Sequence, residues 1–210
     1  MLLDERVGSI NSTQHGFLCE TRRATERIQA LLDNLLAMAS LDATDGPGVL
    51  RRPQQLHEIA RAALEETRPL FADRGQRLEC SLDAPDDAVF VDAGRLQRVI
   101  VNLLQNARKF APEGSRVHLW TYAEETEAGG RVHLVVEDEG QGVTRDEAAR
   151  IFRPFVQGCS TAAGTGTEGV GLGLAICQRI MEAHEGGVEA VPDAGRGLFR
   201  LWLPLERQGG

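Results

Sequence analysis

The chain has no apolar run approaching the roughly 18 residues that suggest a membrane-spanning helix, and its start, Met1-Leu-Leu-Asp-Glu-Arg, meets charge too early for a signal peptide. It is therefore expected to be soluble and cytoplasmic; whether a longer parent protein is membrane-anchored stays open. No Cys-x-x-Cys pair occurs among Cys19, Cys80, Cys159 and Cys177, and no histidine stands at ligand spacing from them. They read as reduced, mostly structural thiols rather than a disulfide or zinc framework. Positive charge is in deficit, with a formal net charge of −8. This argues against nucleic acid, whose phosphates need clustered cations. An anionic ligand must be held by local groups, because the global field repels it. A Gly-x-x-x-x-Gly-Lys-Ser/Thr phosphate loop is missing, as are the His-Arg-Asp and Asp-Phe-Gly elements of protein kinases. Gly164-Thr-Gly166-Thr-Glu-Gly169 matches Gly-x-Gly-x-x-Gly in letters only, since Gln157 to Ala163 before it do not read as a buried strand.

What is present is ordinary in bulk, with 42 % hydrophobic and 26 % charged residues over 210 positions, enough for one or two domains. Ile28, Leu31, Leu32, Leu35, Met38 and Ala39 recur at helical steps between about 20 and 41, opposite Arg22, Arg23, Glu26 and Asp33. This amphipathic helix either packs on its own domain or forms half of a dimerising hairpin. Ala43-Thr-Asp-Gly-Pro-Gly48 breaks it. Beyond lie a helix over 54–72, strands at 77–82 and 88–91, and a helix over 93–110. Strands at 117–122 and 132–137 follow, then a loop of small residues at 156–169, a helix over 171–183 and a closing hairpin of 188–191 with 198–203. Arg-Val-His-Leu occurs at both 116 and 131, a repeat too short to signify duplication. The expected fold is an α+β two-layer sandwich with a mixed, mostly antiparallel sheet packed on helices.

Three stretches carry chemistry. Asn102, Asn106 and Lys109 share one flank of the 93–110 helix, where asparagine has a propensity cost and no apolar gain. The flank is either a Mg²⁺ and phosphate edge, an amide oxygen being a hard ligand suited to that ion, or a solvated polar face. Asp138-Glu-Gly140-Gln-Gly142 ends a strand. It is either a carboxylate that takes the exocyclic amine of adenine, with glycines admitting the base, or a simple turn. Gly169-Val-Gly171-Leu-Gly173-Leu174 leads into a helix and offers free N–H groups and a positive dipole end to phosphate. Residues 156–168 then form a lid, with Phe152 and Phe155 as its hinge anchor unless both are ordinary core.

The order Asn102-x-x-x-Asn106-Ala-x-Lys109-Phe110, Asp138-x-Gly140-x-Gly142, Phe152-x-x-Phe155, Gly169-x-Gly171-x-Gly173-Leu174 resembles the ATP-binding catalytic domain of two-component sensor histidine kinases. That domain belongs to the superfamily shared with gyrase, Hsp90 and MutL. The resemblance implies a Bergerat-type ATP fold over residues 50–206, preceded at 1–45 by a partial dimerisation helix. It implies ATP and Mg²⁺ as ligands, Asn106 on the metal, and Asn102, Asn106 and Lys109 as the catalytic set. The implied ATP-binding residues add Phe110, Asp138, Gly140, Gly142, Val143, Phe155, Gly169, Val170, Gly171, Leu172, Gly173 and Leu174. Hydrolytic members of the superfamily place a water-activating Glu where Asn102 stands, and Asp where Lys109 stands, so phosphoryl transfer to another residue is favoured over hydrolysis. The family's His-Glu/Asp-Leu-Arg-x-Pro phosphoacceptor motif fits none of His15, His57, His118, His133 and His184. The expected function is a histidine kinase module whose phosphoacceptor lies outside this chain, with a response regulator and a second copy as partners. The alternatives are a degenerate nucleotide-binding scaffold that signals by shape and, less favoured, a serine kinase acting on a separate protein.

Overall fold

Alternation of buried and solvent-facing residues builds the central sheet. In the computed structural model, residues 11, 13–22, 24–25, 32, 49–127, 129–156 and 171–206 are described. β4 (Arg116–Thr126) and β5 (Gly129–Asp138) form a long antiparallel hairpin, and β7 (Gly197–Pro204) pairs antiparallel with β5. β6 (Gly187–Ala190) closes one edge, and β2 (Arg77–Leu82) lies parallel to β4 at the other, giving the order β2-β4-β5-β7-β6. β1 (Arg52–Gln55) and β3 (Ala88–Val91) make a separate antiparallel pair. The expected mixed, mostly antiparallel sheet is what forms.

One sheet face is apolar: Val117, Leu119, Val132, Leu134, Val136, Leu201 and Leu203 are each fully buried. α1 (Leu56–Ala72), α2 (Ala93–Phe110) and α4 (Gly173–Ala183) contribute the facing stripes, including Leu96, Val99, Ile100, Leu103 and Ala107 of α2. Burying each large side chain is worth about 1.5–3 kcal/mol, so this layer dominates the stability. The opposite face has its own packing: Trp120 stacks on Tyr122, Tyr122 on His133, and Arg131 lies over Trp202.

Three boundaries differ from expectation, and one short helix is added. Gln54 and Gln55 belong to β1 rather than to the following helix, paired with Val89 and Ala88. β4 runs on to Thr126, because ladder hydrogen bonds and the Glu124–Arg131 cross-strand pairing persist where hydrophobicity ends. α4 starts at Gly173 rather than Gly171, since Gly171 has φ +73° and cannot be helical. A one-turn helix, α3 (Arg145–Ala148), opens on a capping box between Thr144 and Glu147. Most of the helix expected over 20–41, its breaker at 43–48 and most of the 156–169 loop lie outside the described residues, as does Cys159; the described residues of that helix, 20–22, 24–25 and 32, are helical.

Candidate functional site

α2 and α4 run antiparallel. Asp92 at the start of α2 meets His184 at the end of α4, while Asn102 meets Gly173 at the other end. Asp92 caps α2 by accepting from Arg95 N at 3.1 Å. Along α2, Asn102 and Asn106 are half-buried and Lys109 and Phe110 exposed, all on the flank away from the buried stripe. Lys109 Nζ lies 5.0 Å from the Phe110 ring centroid and belongs to the only lysine of the chain.

At the end of β5, Asp138 is 2 % exposed. Its Oδ1 accepts from Gly140 N at 2.8 Å. Burial pushes its carboxyl from the ordinary 3.8 up to about 6; the Gly140 N–H works against this and the Glu137 charge adds to it. Gly140 is packed between that carboxylate and the Phe110 carbonyl, so a Cβ there would overlap both. At Gly142, with φ +72°, a side chain would strike the Arg196 carbonyl. Val143 is half-buried against the core, and its carbonyl accepts from Asp193 N at 3.1 Å.

The expected set lacks one residue of this pocket. Gly197 is paired with Asp138 across the β5–β7 ladder, and a Cβ there would overlap the carboxylate. The sequence shows this glycine at a strand start, but its meaning depends on a register that spacing alone does not reveal.

The third wall is the start of α4. The Gly171 carbonyl accepts from Phe155 N at 2.9 Å, and a Cβ on Gly171 would meet the Val156 carbonyl. Leu172 is buried and Leu174 packs on the core, leaving the first-turn N–H groups of α4 without intrahelical acceptors. Asn102 Oδ1 stands 3.5 Å from where a Gly173 Cβ would be. Asn102 Nδ2 is buried without a hydrogen-bond partner among the described residues. It approaches the Cys177 thiol, which burial pushes up to about 12 and the amide partly offsets, without a sound hydrogen bond. Cys177 is thus an inert buried thiol.

Phe152 packs on the core, whereas Phe155 is 68 % exposed at φ +64°. The pair is therefore no double apolar anchor: Phe152 supplies the packing, and Phe155 is held here through its backbone. Gly169 and Val170 lie outside the described residues.

The structure thus brings Asn102 to Gly173, and Asp138 to Gly140 and Phe110. A deep carboxylate, glycines at which any side chain would collide with that carboxylate or with a neighbouring carbonyl, and free N–H groups at a helix start suit a nucleotide: an acceptor for the base, close backbone approach, and donors for phosphate. No group of three or more His, Cys, Asp or Glu that could hold a metal occurs among the described residues. A lone amide fits an ion that takes few protein ligands.

Residues 91–207 match the family described as Histidine kinase-, DNA gyrase B-, and HSP90-like ATPase. The chain is 34 % identical over 214 residues to the Adaptive-response sensory kinase SasA of Prochlorococcus marinus, covering 100 % of this chain and 54 % of the relative. It is 33 % identical over 186 residues to Sensor protein KdpD of Clostridium acetobutylicum, covering 87 % of this chain and 19 % of that one. Among solved structures, full-length ShkA in complex with AMPPNP superposes with a TM-score of 0.76 at 29 % identity, over 99 % of this chain and 42 % of ShkA. The chain thus spans about half or less of these proteins. It belongs to the histidine kinase-, DNA gyrase B- and HSP90-like ATPase family, and within it is an ATP-binding catalytic domain of the sensor kinase type.

Proposed function

We propose that this domain binds Mg·ATP and delivers the γ-phosphate to a histidine outside the chain, as the kinase module of a two-component sensor. The observation that carries this is Asn102 at the start of α4. Activation of water needs a proton acceptor there, and an amide is none at neutral pH. The amide stands instead beside the first-turn N–H groups of α4, which are left for phosphate oxygens. Asp138 accepts from the exocyclic amine of the base, and Gly140 and Gly197 let the backbone pack against its carboxylate where a side chain would displace it. Lys109 neutralises phosphate charge. Asn106 would hold Mg²⁺, which when bound supplies further neutralisation of the triphosphate.

The AMPPNP complex of ShkA supports ATP as the nucleotide. By the same likeness, residues 1–45 are assigned to a dimerisation segment and 50–206 to the catalytic domain. A response regulator and a second copy of the chain are the partners, and the setting is cytoplasmic. No helix among the described residues is long and apolar enough to cross a membrane.

The test supplies an isolated histidine-bearing hairpin in trans with labelled ATP and Mg²⁺. Acid-labile phosphate on the hairpin is the expected result. Intact ATP binding without any transfer would sink the kinase assignment and leave a nucleotide-binding scaffold.

A further inference from the structure

The segment joining α2 to β4 serves both walls of the site. Lys109 and Phe110 stand on its helical part, and the Phe110 carbonyl lies against Gly140, within 2.8 Å of where a Cβ would be. A helix leaves its last carbonyls without intrahelical partners. Here two side chains from the turn between α1 and β2 collect them. Gln76 directs Nε2 at the carbonyls of Arg108 (3.1 Å), Ala111 (3.1 Å) and Pro112 (3.0 Å). Arg74 Nη1 donates to the Arg108 carbonyl at 2.6 Å. The glutamine is fixed from its own side too: its backbone N–H donates to the Phe71 carbonyl, and Arg77 N–H donates to the Ser115 carbonyl. It is 6 % exposed, and its Oε1 is buried with no partner among the described residues. An unpaired buried acceptor costs stability, and an apolar side chain would avoid that cost. What the glutamine adds is a single amide whose two N–H groups are shared among three carbonyls of the segment that carries Lys109 and packs against Gly140.

We propose that Gln76 is a positioning residue for nucleotide binding. It touches neither the base carboxylate nor the phosphate side. It acts through residues 108–112, keeping Lys109 and Phe110 at fixed spacing from Gly140 and Asp138. The inference deepens the nucleotide assignment above and rests on it. A purely structural cap would lower the melting temperature and leave the affinity of the folded protein alone. A positioning residue moves the affinity itself, because small misplacements of binding groups are costly.

The experiment uses the full chain well below its melting transition, with folding checked by circular dichroism. ATP and ADP affinities are measured by calorimetry, and ATP protection of Lys109 from an amine-acylating reagent gives a second readout specific to the only lysine. Gln76→Met is expected to weaken both nucleotides about tenfold and to abolish protection of Lys109. Val89→Ala, which opens a fully buried site in β3, serves as the stability control and is expected to melt lower with wild-type affinity. Arg74→Ala, at a half-buried position, removes the second hold on the Arg108 carbonyl and is expected to weaken binding about two- to threefold. It carries the test if Gln76→Met does not fold. Wild-type affinity in the folded Gln76→Met protein, or in Arg74→Ala where that variant carries the test, overturns the proposal. So does a loss that tracks melting temperature equally in Val89→Ala. A wild-type chain that binds no nucleotide removes the site itself, a result plainly different from a silent Gln76 substitution.

Discussion

The two ends of the α2–α4 pair are built from the same helices and treat their polar groups in opposite ways. At one end everything is spent. His184, 1 % exposed, accepts from Asp92 N through Nε2 at 2.9 Å and donates from Nδ1 to the Ile180 carbonyl at 2.7 Å, while Asp92 caps α2. At the other end Asn102 Nδ2 is buried with no hydrogen-bond partner among the described residues, α4 starts with no side-chain cap, and Asp138 holds a carboxylate where a neutral group would be cheaper. Buried polar groups are ordinarily paired, so the contrast between the two ends agrees with the proposal that a nucleotide binds at the second. On the function proposed above, stability resides at the His184 end and recognition at the Asn102 end.

The strongest way to break this contrast is Asn106→Ala. Asparagine is a poorer helix former than alanine and Asn106 is only half-buried, so the melting temperature should hold or rise slightly. Phosphoryl transfer to a hairpin supplied in trans should fall on the order of a hundredfold or more, the scale set by losing one preorganised electrostatic contact in a transition state. Transfer near the wild-type rate would show that the flank is only a solvated face.

His184→Ala probes the opposite end. It orphans the Asp92 N–H and the Ile180 carbonyl, each worth about 1–3 kcal/mol when left buried. The melting temperature should fall on the order of 10 °C, with ATP affinity unchanged while the protein stays folded. Burial lowers the pKa of His184 below the ordinary 6.5. The unfolded chain therefore takes up the proton first. The histidine's contribution is complete above pH 6.5 and is lost as the pH falls through the folded value. Thermal melts between pH 8 and 5 check both points. A variant that melts like wild type, or binds ATP much more weakly, would dissolve the division between the two ends.

How much of this was legible in the sequence depends on how local each device is. Asp138, Gly140 and Gly142 lie within five residues and announce a strand end with close backbone approach. The Asn102, Asn106 and Lys109 flank follows from helical periodicity alone. Gly197 was silent because its meaning lies in a pairing with Asp138 across the β5–β7 ladder, and Gln76 because its three acceptors sit in the last turn of α2 and just past it, far off in sequence. Phe155 misled through composition: an aromatic in a small-residue stretch suggests an apolar anchor, yet a positive φ turns its ring to solvent. The fold class was readable because binary patterning sets it, whereas the exact start of α4 turned on one backbone angle, at Gly171.

The smallest expected effect sharpens the contrast most, because it runs in two directions at once. Raising the Asp138 pKa from 3.8 to about 6 means that keeping the carboxylate charged at pH 7 costs the folded state on the order of 3 kcal/mol. Between those two values the folded protein holds a proton that the unfolded chain has released, so stability falls as pH climbs from 3.8 to 6 and is level above. Asp138→Asn removes the charge and keeps an oxygen for the Gly140 N–H. At pH 7 the variant should melt several degrees higher, with the advantage shrinking toward pH 4, where wild-type Asp138 is itself protonated. Its ATP affinity should be about tenfold lower at pH 7, the difference between a charged and a neutral acceptor. That gap should close as the pH drops below 6, and comparing the two proteins cancels protonation of the nucleotide itself. A variant that melts lower, or an affinity gap that stays constant from pH 8 to 5, would mean that Asp138 is a structural turn residue and not the acceptor for the base.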